Sequence, residues 1–95
     1  MSAYIIALVD VTDMEQYKKY MALTPAAIAK FGGKFLTRGG RAEVLEGDDD
    51  PRRKVLLEFP DYEAALAFYN SAEYQTAKAL RAGAATGTFM VLEGL

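Results

Sequence analysis

The sequence contains no cysteine, no histidine and no tryptophan among its 95 residues. The chain therefore lacks the commonest general base, the nucleophilic thiol, and the nitrogen and sulfur ligands that zinc and haem iron prefer. Disulfide bonds, which support many small domains, are excluded as well. We expect no metal and no cofactor, and both haem degradation and zinc-dependent hydrolysis are disfavoured.

A strong net charge and a long hydrophobic run are also missing. The formal net charge is -2, and the basic cluster Arg52-Arg53-Lys54 directly follows Asp48-Asp49-Asp50. No nucleic-acid partner is expected, because such proteins usually carry a basic stripe. The apolar run from Ala3 to Val9 is too short for a membrane span and lacks the features of a signal peptide. We expect a cytoplasmic protein that does not associate with membranes.

The composition is that of an ordinary globular protein, with 52% hydrophobic and 25% charged residues. A chain of 95 residues predicts one hydrophobic core and a single domain over residues 1–95. Such a small domain leaves much of its surface exposed, and here no disulfide supplements the core. A second copy of the chain can bury the apolar surface that remains exposed, so we expect a homodimer.

Runs rich in β-branched, leucine and aromatic residues predict the strands. The first is apolar without alternation, which is typical of a central strand covered on both faces. The predicted strands are Ala3 to Asp10, Lys34 to Arg38, Ala42 to Glu46, Lys54 to Phe59 and Thr86 to Glu93.

Two helical regions separate these strands. Thr12-Asp13-Met14-Glu15 fits a capping box and predicts a helix that starts at about Asp13 and ends at Gly32-Gly33. Pro25 either kinks this helix or, with Thr24 as cap, begins a second segment. Asp61 caps the next helix, and Ser71 caps a further one that reaches about Ala82.

The segment around Gly39-Gly40 leaves two alternatives open, a hairpin or one long strand bent at a glycine bulge. We favour the bent strand, because Gly47-Asp48-Asp49-Asp50-Pro51 is the stronger turn signal. Either way the order is β-α-β-β-α-β, a ferredoxin-like α+β arrangement. The three consecutive aspartates lack the alternating spacing of a calcium loop, so we interpret them as a solvated hairpin tip.

The sequence contains four short motifs: Phe35 to Gly40, Val44 to Gly47, Leu57 to Pro60 and Phe68 to Gln75. In order and spacing they resemble the domain-of-unknown-function family 1330 within the dimeric α/β-barrel superfamily. The resemblance covers Tyr4 to Gly94. It implies a four-stranded antiparallel sheet with helices on one face and the partner's sheet on the other. It also implies relatives that include cofactor-free oxygenases, haem-degrading enzymes and small-ligand sensors, which use a cavity between helices and sheet.

Four residues are the candidates for lining such a cavity: Arg38, Glu58, Tyr17 and Tyr74. Glu58 interrupts an apolar strand, so its carboxylate needs a partner or a raised pKa. We expect it to be buried and paired with Arg38. An ion pair that only fixes the register of the strands is the alternative to a catalytic role.

Two functions remain open at this stage. In the first, the cavity binds a compact organic acid or aromatic compound, and its chemistry is cofactor-independent oxygenation or proton-transfer isomerisation. In the second, the protein is a non-catalytic structural or regulatory homodimer whose buried polar groups only specify assembly.

Overall fold

The computed structural model describes all 95 residues, in four strands and three helices. The expected β-α-β-β-α-β order is confirmed, with the second helical region divided at Asn70 and Ser71. The fold is a ferredoxin-like α+β arrangement. Its elements are β1 (Ala3–Val11), α1 (Met14–Lys30), β2 (Lys34–Arg38), β3 (Arg53–Phe59), α2 (Tyr62–Tyr69), α3 (Ala72–Leu80) and β4 (Ala85–Glu93).

The four strands form one antiparallel sheet in the order β2-β3-β1-β4. The first strand is central, as its continuous apolar run predicted. Alternate residues of β1 are buried beneath the helices: Ala3, Ile5, Ala7 and Val9. They pack with Leu57 and Phe59 of β3 and with aromatic residues of the helices to form the core.

Helix α1 begins one residue later than the capping box predicted. Asp13 is the N-cap, and its carboxylate accepts a hydrogen bond of 3.2 Å from the backbone N–H of Gln16. The Thr12 hydroxyl instead donates to the carbonyl of Ala84, at 3.0 Å. The predicted capping role of Thr12 was therefore wrong, because tertiary contact with the segment before β4 engages that hydroxyl. The helix ends at Lys30, and Gly32 turns the chain after it with a φ of 76°, which suits glycine.

Pro25 does not divide helix α1, which continues from Met14 to Lys30. The alternative in which Thr24 caps a second segment is wrong, since the Thr24 hydroxyl donates back to the carbonyl of Met21, at 3.3 Å. The other two helices have the predicted caps, Asp61 and Ser71. No helix combines the length and apolar character that crossing a bilayer requires.

The predicted strand from Ala42 to Glu46 is absent, and residues 39–52 form a loop. Gly39 turns the chain away from the sheet with a φ of 69°, and its N–H donates to the Lys54 carbonyl, at 2.9 Å. Neither the hairpin nor the long bent strand is formed, because β2 ends at Arg38. The β-bulge lies earlier, between Phe35 and Thr37. A strand was predicted because Val44 and Leu45 are apolar, but both are exposed and no neighbouring strand is there to pair with them.

The aspartates of this loop differ from one another. Asp48 and Asp49 are exposed, as expected for a solvated segment. The carboxylate of Asp50 accepts hydrogen bonds from the backbone N–H and from Nε of Arg52, both at 3.0 Å. Hydrogen bonds from the Arg52 side chain hold the pKa of Asp50 well below its usual range. Part of the basic cluster is thus neutralised within the loop.

The face of the sheet that the helices do not cover is largely apolar. Tyr4, Ile6 and Leu8 of β1 point to this face because they alternate with the buried residues. Register places Met90 opposite Ile6 and Leu92 opposite Tyr4. We call this surface the open face; its apolar members are Tyr4, Ile6, Leu8, Leu36, Leu56, Met90 and Leu92.

Candidate functional site

A narrow cavity lies between the helices and the covered face of the sheet. The space between its lining atoms is about 510 Å³, including the part that is open to solvent. The volume of the cavity itself is only about 40 Å³, so the cavity is slender. Most of its walls are aliphatic or aromatic. The residues with polar groups are Tyr17, Tyr20, Thr24, Arg38, Arg53, Tyr69 and Tyr74.

Four tyrosines from three helices line this cavity, and Tyr69 at the end of α2 is one of them. Tyr17 and Tyr20 lie on the buried side of α1, and Tyr74 lies in the first turn of α3. The hydroxyls of Tyr20 and Tyr74 are 3.0 Å apart. Burial raises the pKa of both Tyr17 and Tyr20. These phenols are therefore protonated at neutral pH and act as hydrogen-bond donors rather than bases.

Arg38 lies at the rim of the cavity, at the end of β2. Its guanidinium stacks over the ring of Phe35, with 4.5 Å between the guanidinium carbon and the ring centroid. Its Nη2 donates to the backbone carbonyl of Met21, at 2.8 Å. The arginine thus connects β2 to α1, and its other N–H groups make no hydrogen bond within the protein.

Pro25 explains why the Met21 carbonyl is available. In a regular helix this carbonyl would accept from the N–H four residues later, but proline has no N–H. The freed oxygen accepts from Arg38 and from the Thr24 hydroxyl instead. A proline inside a helix normally destabilises it, and here it provides an anchor for the arginine at the cavity.

Replacement of this proline tests that role. We expect Pro25→Ala to raise the free energy of unfolding by about 1 to 3 kcal/mol, because the helical hydrogen bond to Met21 is restored. The restored N–H competes with Arg38 for the carbonyl, so the affinity of this arginine for an added anion should fall several-fold. Chemical denaturation and calorimetric titration measure the two effects. Pro51→Ala, in the loop, is the control and should change neither quantity; weaker stability in Pro25→Ala would contradict the assignment.

Arg53 adds a second guanidinium at the cavity. The side chain packs against Gly39 so closely that a Cβ atom at that position would lie 2.3 Å from Nη1. Its Nε is buried and has no hydrogen-bond partner. Arg53 faces the cavity because it alternates along β3 with the core residues Leu57 and Phe59.

Glu58 does not pair with Arg38, so that expectation was wrong. Its carboxylate lies 3.5 Å from the Nζ of Lys34, its cross-strand neighbour, and the side chain keeps 24% of its surface exposed. Glu58 is one residue out of phase with Leu57 and Phe59, which places it on the open face. Arg38 is in register with Val55, on the cavity side. The sheet itself therefore separates the two charges, and Glu58 does not line the cavity.

The cavity is a positively charged site without carboxylates. No aspartate or glutamate is among its lining residues. The four ion pairs of the structure involve other residues, so Arg38 and Arg53 have no carboxylate partner. Such an arrangement attracts an anion with an apolar body.

Of the four residues proposed from the sequence, the structure brings Tyr17, Tyr74 and Arg38 together and separates Glu58 from them. Sequence reasoning missed Arg53, which lines the cavity, and Arg81, which lies beside it with Nη2 at 3.3 Å from the Tyr74 hydroxyl. Both carried a signal: Arg53 continues the alternation of Leu57 and Phe59, and Arg81 continues the helical spacing of Tyr74 and Ala77.

Comparison with known proteins agrees with this fold. The model of a family described as a domain of unknown function, DUF1330, matches residues 2–95. A search among curated proteins finds no significant match.

Several solved structures share the fold at low sequence identity. RPA0582, a protein of unknown function from Rhodopseudomonas palustris, is 21% identical with a TM-score of 0.77, over 99% of this chain and 82% of that one. SnoaB, a cofactor-independent oxygenase from Streptomyces nogalater, is 13% identical with a TM-score of 0.65, over 99% and 93%. A dimeric ferredoxin-like protein of unknown function from Jannaschia sp. CCS1 is 14% identical with a TM-score of 0.63, over 95% and 98%. At these identities the likeness establishes the fold alone.

Proposed function

The chain belongs to the DUF1330 family of domains of unknown function, and we propose from its site that it binds a small organic acid with a flat apolar body. The observation that carries this proposal is the pair of arginines, Arg38 and Arg53, at a cavity that contains no carboxylate. Each guanidinium has N–H groups left for a ligand, and arginine is suited to carboxylates because its donors form a planar fork.

The shape of the cavity supports an aromatic or otherwise planar body. The walls include the rings of Phe35, Phe68 and Phe89 as well as the tyrosines. The space is slender, so a compact ring fits better than a branched or extended chain. An apolar pocket with a few convergent polar groups is the usual form of a small-molecule site.

The candidate chemistry within this proposal is cofactor-independent oxygenation or proton-transfer isomerisation. Isomerisation requires a group that removes a proton, and the cavity offers no carboxylate and no histidine. Its tyrosines and arginines are donors, which stabilise an anion that the substrate itself forms. Oxygenation is therefore the better supported of the two. A substrate acidic enough to give its proton to water transfers electrons from the resulting carbanion to dioxygen, and a C–O bond forms as a hydroperoxide that takes a proton back from water. Loss of water from the hydroperoxide then leaves a carbonyl group. SnoaB, which shares the fold, is a cofactor-independent oxygenase.

The assembly proposed for this function is a homodimer of one domain over residues 1–95, joined through the open face. Apolar residues on the open face, among them Met90 at 47% and Leu92 at 51% exposure, form a patch of the kind that marks an interface. The Jannaschia protein of the same fold is described as dimeric. Light scattering at micromolar concentration should give twice the mass of the chain.

A thermal-shift experiment with benzoate and benzamide tests the binding proposal. The two probes share ring and size, but only benzoate carries a charge for Arg38 and Arg53. Benzoate at about one hundred times its Kd should add about 2.7 kcal/mol to the stability of the folded state. The melting temperature should then rise by roughly 10 °C or more.

Substitution of the rim arginine provides the matched control. In Arg38→Gln the benzoate effect should fall strongly, whereas Arg41→Gln, in the exposed loop, should behave as the parent. Equal shifts with benzoate and benzamide would contradict recognition of the carboxylate. No shift with either probe would favour the alternative, a structural or regulatory homodimer whose polar groups only specify assembly.

A further inference from the structure

A buried arginine and two tyrosines form a chain of hydrogen bonds beside the cavity. Nη2 of Arg81 donates to the Tyr74 hydroxyl, at 3.3 Å, and the hydroxyls of Tyr74 and Tyr20 are 3.0 Å apart. Arg81 follows helix α3 and is only 9% exposed. We refer to these three residues as the Arg81–Tyr74–Tyr20 cluster.

One phenolic O–H group of this cluster has no hydrogen-bond acceptor within the protein. Arginine can only donate, so the Tyr74 oxygen accepts from Arg81. One of the two phenolic protons lies in the bond between the tyrosines, whichever hydroxyl donates it. No acceptor outside this pair is hydrogen-bonded to either hydroxyl, so the other phenolic proton has no acceptor within the protein. Both tyrosines line the cavity, where a ligand can supply one.

The positive charge of Arg81 also has no negatively charged partner. Arg81 has no carboxylate within ion-pair distance, and its Nε is buried without a hydrogen-bond partner. Its guanidinium carbon lies 4.6 Å from the ring centroid of Phe89 and 5.3 Å from that of Tyr20. Aromatic faces offset part of the desolvation of a cation, but a buried charge normally has an ionic partner. An anionic ligand would provide that partner.

We propose that the Arg81–Tyr74–Tyr20 cluster donates a hydrogen bond to a single anionic oxygen of the ligand, which is therefore a phenol or an enol bound as its anion. The inference rests on the proposed function, because it places a second recognition point in the same cavity. One free phenolic proton matches one oxygen, whereas a carboxylate has two oxygens and suits the arginines at the rim.

The charged and titratable groups around the cavity all favour an anion there. Helix α1 contributes Tyr17 and Tyr20, and α2 contributes Tyr69. The first turn of α3 contributes Tyr74, and Arg81 follows the end of that helix. The strands contribute Arg38 and Arg53. No carboxylate faces the site from any of these elements, so the bound ligand should ionise at a lower pH than it does in water.

The ionisation of bound 4-nitrophenol tests the proposal, because its anion absorbs visible light. With protein in excess, the pH at which half of the probe is ionised should fall by about one unit or more relative to the free probe. The double variant Tyr20→Phe with Tyr74→Phe keeps both rings and removes both phenolic protons, and Arg81→Met keeps much of the volume of the arginine. Each should lose most of this shift. Tyr62→Phe is the control, since Tyr62 does not line the cavity.

A second probe, 4-nitrobenzoate, separates failure of this inference from failure of the proposed function. If 4-nitrobenzoate binds while the midpoint of 4-nitrophenol is unshifted, the cluster does not bind an anionic oxygen and the proposed function stands. If neither probe binds, both are overturned. A shift that persists undiminished in the folded double variant, Tyr20→Phe with Tyr74→Phe, also overturns the role of the cluster. The pH at which half of the 4-nitrophenol is ionised, measured with the parent protein, tests the proposal even if Arg81→Met fails to fold.

Discussion

A Met90→Glu variant is expected to sediment as a monomer under conditions in which the parent protein sediments as a dimer. Met90 lies on the open face opposite Ile6 of the central strand, within the apolar patch. A partner sheet on this face would bury the new carboxylate without a counter-charge. The loss should be at least about 3 kcal/mol of dimer stability, which weakens association by a factor of about one hundred.

A matched control excludes a general effect of placing charge on an exposed apolar residue. Leu23 on helix α1 is 43% exposed, close to the 47% of Met90, but it lies on the helical side of the molecule. Leu23→Glu should remain a dimer with nearly parental stability. A dimer of unchanged affinity in Met90→Glu would show that the open face is not the interface. A parent protein that is monomeric at micromolar concentration would refute the dimer altogether.

The sequence was sufficient for the fold because its local signals agreed with the tertiary structure. The continuous apolar run of β1 predicted a central strand, and Asp61 and Ser71 predicted two helix starts. The strand predicted from Ala42 to Glu46 failed for a tertiary reason. β-Branched and leucine residues favour a strand only where a neighbour pairs with them, and β3 already has β1 and β2 on its two sides.

The site was only partly predictable, because side-chain facing depends on register. Arg38 and Glu58 looked like a natural pair of charges, but a shift of one position along a strand reverses the face. The bulge between Phe35 and Thr37 adds such a shift in β2. Register between separate strands could not be read from this one sequence.

The role of Pro25 shows a different limit. A sequence pattern identifies proline as a helix breaker, and here the helix continues through it. What matters for the site is the carbonyl that it leaves free, four residues earlier, and the arginine that reaches that carbonyl from another element. Local rules predict the free oxygen but not its partner.

Removal of one buried ring should have the largest effect on stability. Phe68 is only 2% exposed and packs between Phe59 and Tyr74, with ring centroids 5.0 Å and 4.8 Å away. It belongs both to the core and to the wall of the cavity. Phe68→Ala should cost about 3 to 5 kcal/mol, because apolar contacts are lost and a void remains. The melting temperature should fall by roughly 15 °C or more.

The same variant reports on the cavity, because truncation of Phe68 enlarges a space that already exists. Benzene, which fits apolar voids, should therefore stabilise Phe68→Ala more than it stabilises the parent protein. Leu66→Ala is the control on the same helix: Leu66 is 38% exposed and does not line this cavity, so its cost should stay below about 1 kcal/mol. Calorimetric melting with and without benzene measures both effects. If Phe68→Ala cost no more stability than Leu66→Ala, the ring would not be part of a packed core. If benzene stabilised Phe68→Ala no more than the parent protein, truncation of the ring would not have enlarged the cavity beside Tyr74.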